Sequence, residues 1–303
     1  MSLQRKRFRS LPSTFSSDVC FFSSDLHGSF DRYEKLFDAI RREKPKAVFL
    51  AGDLLPSYAT GFPSLDFFHK DFIHDFLAQQ LKSLKLRLGS DYPVLFVILG
   101  NDDPKYEEAA AIDLGVQGLW HYMHMRKRLW EGYTVFGYSC IPPSPFRLKD
   151  WERYDVSRYV DPGCTPPDEG LHTVPISDQT MRFATIQNDI EMLTQNEPME
   201  RAIFLSHCPP YQTDLDRAAL DGKRIDHVPV DVHIGSIAIR RFVESRQPLL
   251  GLHGHVHEAA RLTGHFRQRL GRTVLMNGSH DGSELSLIRF SLRNPQAATR
   301  QLL

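Results

Sequence analysis

Cysteine is scarce in this chain, with four in 303 residues, at Cys20, Cys140, Cys164 and Cys208. They form no CxxC pair and no dense spacing, which argues against a disulfide scaffold. Reduced core cysteines in a reducing compartment fit better, so a cytoplasmic location is expected. An excess of one charge is also lacking. Lysine plus arginine and aspartate plus glutamate total 37 each, so no overall field gathers a long nucleic acid or an anionic membrane surface. No apolar run approaches the roughly 20 residues that cross a bilayer. The basic start, residues 1–18, lacks the apolar stretch and small-residue cleavage site of a secretory signal and is expected to be a flexible arm. No repeat, low-complexity linker or break in composition divides the rest, so residues 19–303 are expected to form one domain.

What is present is a series of short apolar runs bounded by turn residues: VCFFSS (19–24), AVFLAG (47–52), VLFVILG (94–100), AIFLSH (202–207) and PLLGLHGH (248–255). Rich in Val, Ile, Leu and Phe, they read as buried strands. Stretches at about 30–44, 66–88, 178–195 and 236–246 have helical spacing, which gives the alternation of an α/β fold. Residues 118–140 read as a hairpin turning at Glu131 and Gly132, and GRTVLMNGS and SELSLIRFSL add two strands, so two sheets are expected. From Ile141 to Pro175 the chain is rich in proline and longer than loops inside compact domains usually run. This insertion reads equally as packed surface or as a lid. Its Arg147, Lys149, Arg153 and Arg158 stand among Trp151, Tyr154 and Tyr159. They are either a packed, solvated surface or a grip on a base and a phosphate. Ser236 is placed to cap a helix, and the same turn offers amides to an anion.

Residues with chemistry gather at the strand ends. SSDLHG supplies Asp25 and His27, AGD supplies Asp53, LGNDD supplies Asn101, Asp102 and Asp103, and LSHCPP supplies His207. GLHGHVH places His253, His255 and His257 on alternate positions, which one extended strand would present on one face. Strand ends of an α/β sheet converge at one edge, where ligands collect. Singly, Gly-Asp or Gly-Asn after a strand is most often a plain turn. Jointly, Asp25, His27, Asp53, Asn101, His207, His255 and His257 would concentrate charge that bound cations stabilise. Mixed carboxylate, amide and imidazole donors suit Mn, Fe or Zn, and the lack of thiolates argues against structural zinc.

These blocks resemble the calcineurin-like metallophosphoesterases, whose pattern runs DxH, GD, GN, H and GHxH. The matching residues are Asp25-Leu26-His27, Gly52-Asp53, Gly100-Asn101-Asp102, His207 and Gly254-His255-Val256-His257, with the blocks running from about 19 to 257. The resemblance implies a four-layer α/β/β/α sandwich of two mixed sheets flanked by helices. It also implies two divalent ions: Asp25, His27 and His257 on the first, Asn101, His207 and His255 on the second, and Asp53 bridging. By the same resemblance, the chain hydrolyses a phosphodiester by attack of a hydroxide shared by both ions, with Asp53, Asn101, Asp102 and His207 as the catalytic set. The substrate expected is small and nucleotide-like. A phosphomonoesterase or pyrophosphate-bond hydrolase on the same centre, or a catalytically weak protein-binding scaffold of this fold, are the alternatives.

The chain departs from many family members at Asp102, where they carry a histidine suited to protonating the leaving oxygen. A carboxylate beside two dications is a poor acid, so Asp102 is expected to tighten metal binding or orient a water, and Asp103 to support a ligand. His253 has no family position. It is either a core or supporting residue or one that faces substrate.

Overall fold

A computed structural model describes residues 18–57 and 71–303. The arm expected over 1–18 therefore lies outside the described residues except for Asp18, as do positions 66–70 of the second helical stretch.

The strands alternate with helices from the start. Strand β1 (Val19–Ser23) leads into helix α1 (Phe30–Glu43), β2 (Ala47–Ala51), α2 (Ala78–Leu88), β3 (Val94–Ile98), α3 (Glu108–Val116) and the short β4 (His121–Tyr122). A hairpin of β5 (Arg126–Trp130) and β6 (Tyr133–Tyr138) follows, then α4 (Asp178–Phe183), α5 (Ile186–Thr194) and β7 (Ala202–Ser206). A small ribbon, β8 (Arg224–Ile225) with β9 (Val228–Pro229), precedes α6 (Ile237–Arg246), β10 (Leu250–His253), α7 (Ala259–Thr263), β11 (Arg267–Leu270) and β12 (Thr273–Asn277). Two final strands, β13 (Ser286–Ser291) and β14 (Asn294–Leu302), close the chain.

They build two six-stranded mixed sheets, in the orders β14-β13-β1-β2-β3-β4 and β11-β12-β10-β7-β6-β5. Strands β1 to β4 are parallel in the first sheet, and β12, β10, β7 and β6 are parallel in the second, with antiparallel strands at the edges. Period-two alternation makes the layers. Phe22, Phe49, Phe96 and Ile288 face Ile203, Leu205, Leu252 and Met276 between the sheets. Their neighbours Phe21, Val48 and Leu95 point outward and pack with Leu36, Phe37 and Ile40 of α1, as Phe204 does with Ile239 and Phe242 of α6. The result is the expected sandwich, two mixed sheets flanked by helices. Among the described residues no helix is long and apolar enough to cross a membrane.

Local signals explain most boundaries. Ser29 caps α1 by accepting from the Arg32 amide, and Lys44 ends it in the left-handed region. The β5–β6 hairpin turns at Glu131 and Gly132, both at positive φ, as a tight two-residue turn requires. Three expectations change. The second helical stretch opens with a π-helical turn, Phe72–Leu77, before α2. The stretch at 178–195 is two helices, because Ala184 and Thr185 are extended, Thr185 pairs with Tyr154 and its side chain caps α5. Helix α3 has an alanine-rich run with little apolar periodicity, and periodicity alone passes it over.

The proline-rich insertion is packed. Trp151 and Tyr154 are buried, and Lys149, wholly buried, donates to Glu152 at 2.6 Å and to the Ser144 carbonyl at 2.8 Å. Asp155 closes the N-terminus of α6, accepting from Ser236 Oγ at 2.6 Å, the Ile237 amide at 2.6 Å and the Ala238 amide at 3.2 Å. The anion at that helix end is thus the chain's own carboxylate, and Ser236 is its cap.

Two stability outcomes follow from this packing. Asp155→Ala should cost about 1–2 kcal/mol in denaturant unfolding, with Asp155→Asn costing less. Lys149→Met leaves the Glu152 charge buried without its partner and should cost about 3–5 kcal/mol. Adding Glu152→Gln should recover part of that loss, and strict additivity of the two changes would count against the buried pair.

Candidate metal centre

Five parallel strands, β1, β2 and β3 of one sheet and β7 and β10 of the other, end at a common edge, and the loops leaving them are stitched together. The Asp25 amide donates to the Gly52 carbonyl at 2.9 Å, and the Gly254 amide to the His207 carbonyl at 2.8 Å. His207 crosses between the sheets, its Nδ1 lying 2.6 Å from the Ala51 carbonyl. A carbonyl only accepts, so Nδ1 carries a proton and Nε2 is the nitrogen that points onward. That nitrogen lies 2.9 Å from Asn101 Oδ1 and 3.3 Å from Asp53 Oδ2. The His255 ring sits beside it, centroids 5.3 Å apart.

A second group shares Asp53. Asp25, His27, Asp53 and His257 each offer a ligand atom, all within 4.8 Å of one another. His257 Nε2 is 3.0 Å from Asp25 Oδ1 and 3.2 Å from His27 Nε2. Two imidazole nitrogens that close need a proton or a cation between them. The structure brings the seven residues expected at the site to this edge: Asp25, His27 and His257 gather with Asp53, and Asn101 and His207 also approach Asp53, with His255 against the His207 ring.

Electrostatics show what holds the cluster together. Burial alone would raise the carboxyls of Asp25 and Asp53, yet neighbouring histidines hold both below the usual carboxylate range. Burial likewise disfavours imidazolium, but Asp102, Asp53 and Asp25 outweigh it at His27 and Asp53 and Asp25 at His207, raising each to about 9. His255, disfavoured by burial and by the charge on His207, falls to about 3. Protons on His27 and His207 supply the positive charge that two buried carboxylates demand, and a divalent cation among the same donors would supply it in their place. The donor set fits such ions.

The backbone is unusual here. Asp25, His27, Asp53 and His255 all have positive φ, between 46° and 70°. This left-handed region is costly for side-chain-bearing residues, though Asp and His tolerate it better than most. It also corrects the strand reading of GLHGHVH. Strand β10 ends at His253, and a turn carries His255 and His257, so the three rings do not share a strand face. His253 is a core residue. It is fully buried, its Nδ1 lies 2.9 Å from Ser206 Oγ and 3.1 Å from the Cys208 carbonyl, and burial lowers its pKa to about 3. It braces the two residues that flank His207.

The profile of the calcineurin-like phosphoesterases matches residues 21–259. The chain belongs to this family. Members typically use a dinuclear metal centre. One solved structure shares 17% identity at a TM-score of 0.57, covering 94% of this chain and 98% of the other. A protein from Thermus thermophilus shares 16% at 0.53, covering 94% and 98%. An archaeal phosphodiesterase is a looser likeness, 9% identical at 0.41, covering 94% and 99%. At such identities the first two share the fold and nothing finer. No curated protein matches the chain.

Within the family pattern, close contacts account for the glycines. A Cβ on Gly100 would collide with Asp53 Oδ1 and lie 2.5 Å from the Asp53 amide nitrogen, and one on Gly254 would strike Ser24 Oγ and lie 2.6 Å from Asp25 Oδ2. Asp103 supports backbone instead of a ligand, accepting from the Gly100, Leu54 and Leu55 amides at 2.8 to 3.1 Å. Pattern reading missed Ser279, whose Oγ donates to Asp25 Oδ2 at 2.8 Å, and Arg32, whose Nη1 donates to the Asp25 carbonyl at 2.6 Å. Ser279 was within reach of the strand-end rule, since parallel β12 ends at Asn277 on the same edge. Gly100→Ala should cost about 1–3 kcal/mol through overpacking, read as a lower melting temperature of the metal-free chain. An unchanged melt would show that the loop can yield.

Proposed function

We propose that this chain is a metal-dependent phosphodiesterase acting on a small, nucleotide-like phosphodiester. Asp25, His27 and His257 would hold one divalent cation and Asn101, His207 and His255 a second, with Asp53 shared; the donors suit Mn, Fe or Zn. When bound, the pair supplies Lewis acidity, lowering the pKa of a water toward neutrality and offsetting charge on the phosphoryl oxygens.

The observation that carries this reading is the place of Asp53. Its Oδ2 lies 3.3 Å from His207 Nε2, and it also belongs to the group with Asp25, His27 and His257. One carboxylate thus faces both sets of donors. The surroundings keep the set ready. The proton on His207 Nδ1 is held by Ala51, which leaves Nε2 free to coordinate. The hydroxyl of Ser279 and the His255 amide donate to Asp25, favouring its anionic form.

Preference for a diester rests on the insertion. A monoester bears a second negative charge and calls for spare Arg or Lys beside the metals. Of the four basic residues there, Lys149 is committed to Glu152, Arg153 to the Glu152 carbonyl and Arg158 to Asp168, and Arg147 is exposed. All four cysteines are free and three are buried, which supports work in the reducing cytoplasm.

Chelator-stripped protein should regain hydrolysis of a bis-aryl phosphate when Mn, Fe or Zn is restored, and hydrolyse the aryl monoester more slowly. A monoester preference would favour the monoesterase alternative, and metal uptake without turnover the scaffold. Asp53→Asn should abolish hydrolysis and weaken uptake of both ions. With a carboxylate at 102 instead of histidine, rates on aryl diesters should fall steeply as leaving-group pKa rises; a flat series would reveal a proton donor at the site.

A further inference from the structure

We propose that Asp102 is a positioning residue that selects which atoms of His27 and Asp53 meet the cations, an inference that rests on the dimetal reading. Asp102 touches both. Its amide donates to Asp53 Oδ1 at 2.8 Å, while the other oxygen of Asp53 lies toward His207. Its Oδ2 stands 3.2 Å from His27 Nδ1. That nitrogen is buried and has no aligned hydrogen bond, so the Asp102 carboxylate is the acceptor standing beside it. The opposite nitrogen, Nε2, is the one that converges with His257 and Asp25. A neutral imidazole has one lone pair, and the partner of its N–H decides which nitrogen presents it. Carboxylates that receive such an N–H also fix the ring and raise its basicity as a ligand.

The backbone holds Asp102 in place from both sides. Asn101 before it faces His207, and Asp103 after it clamps the Gly100, Leu54 and Leu55 amides. The insertion adds two ties: Trp151 Nε1 donates to the Asp103 carbonyl at 2.8 Å, and the Lys105 amide to Asp150 Oδ2 at 2.7 Å. A side chain on so braced a loop has little freedom to swing toward a leaving group. Where many relatives place a proton donor, this chain places a support for a ligand.

The test is titration of the chelator-stripped chain with Mn2+ by calorimetry. Wild type should show two uptake events. Asp102→Ala should weaken the one that uses His27 by about 10–100-fold and leave the other near wild type; His27→Ala identifies which is which. Asp102→Asn, nearly isosteric and still an acceptor, should weaken it less, and both variants should melt like wild type when metal-free. The Mn2+ concentration that half-restores turnover of a bis-aryl phosphate should rise in both variants in step with the loss of affinity at that event. Wild-type Mn2+ affinity in Asp102→Ala, equal losses at both events, or an unshifted Mn2+ requirement for turnover would each overturn the assignment. If the wild type itself takes up no Mn2+, the dimetal reading falls and this inference with it.

Discussion

Two buried carboxylates in an α/β/β/α sandwich cannot stand alone, and the centre is organised around that demand. Asp25 and Asp53 leave strands of one sheet, while His207, His255 and His257 leave strands of the other. The charges pair only if the sheets meet in one relative register. The bond from His207 to the Ala51 carbonyl and that from the His255 amide to the Asp25 carboxylate cross from one sheet to the other and fix this register at the edge where the pairing occurs. The aromatic and aliphatic layer between the sheets, with Phe49 stacked on Phe96 at 5.1 Å, supplies the stiffness behind it.

Much of this was legible from residue order because strand topology turns order into place. An apolar run followed by Gly-Asp or Gly-Asn locates a side chain at a sheet edge before any contact is known. Local conformation was not legible in the same way. The period-two rule put His253 with His255 and His257, whereas the chain leaves its strand at His253 and enters the left-handed region at His255. A pattern rule assumes that the element continues, and at an active edge the element is what ends. The supporting layer was only half visible. The end of β12 brings Ser279 to the same edge, but nothing in Asn277-Gly278-Ser279 picks out Asp25 as its partner, a contact that spans 254 positions of sequence.

The insertion shows how the same composition can serve opposite ends. Arginines and lysines among aromatic rings suggest a surface that grips a phosphate. Here most are turned into the protein's own structure: Lys149 answers Glu152, Arg158 lies over the Tyr154 ring at 5.1 Å, and Trp151 reaches the backbone of the loop after β3 at Asp103. Burial decides between the readings, and composition does not carry burial.

Asn277 donates to the carbonyls of both Leu215 and Val256, at 2.9 and 3.2 Å, and its own carbonyl receives the Ser279 amide at 2.7 Å. One amide side chain therefore pins the long segment after His207 to the turn that carries His255 and His257. Substitutions along that segment can leave the histidine turn where it is, because the tether fastens main chain and is indifferent to the side chains around it.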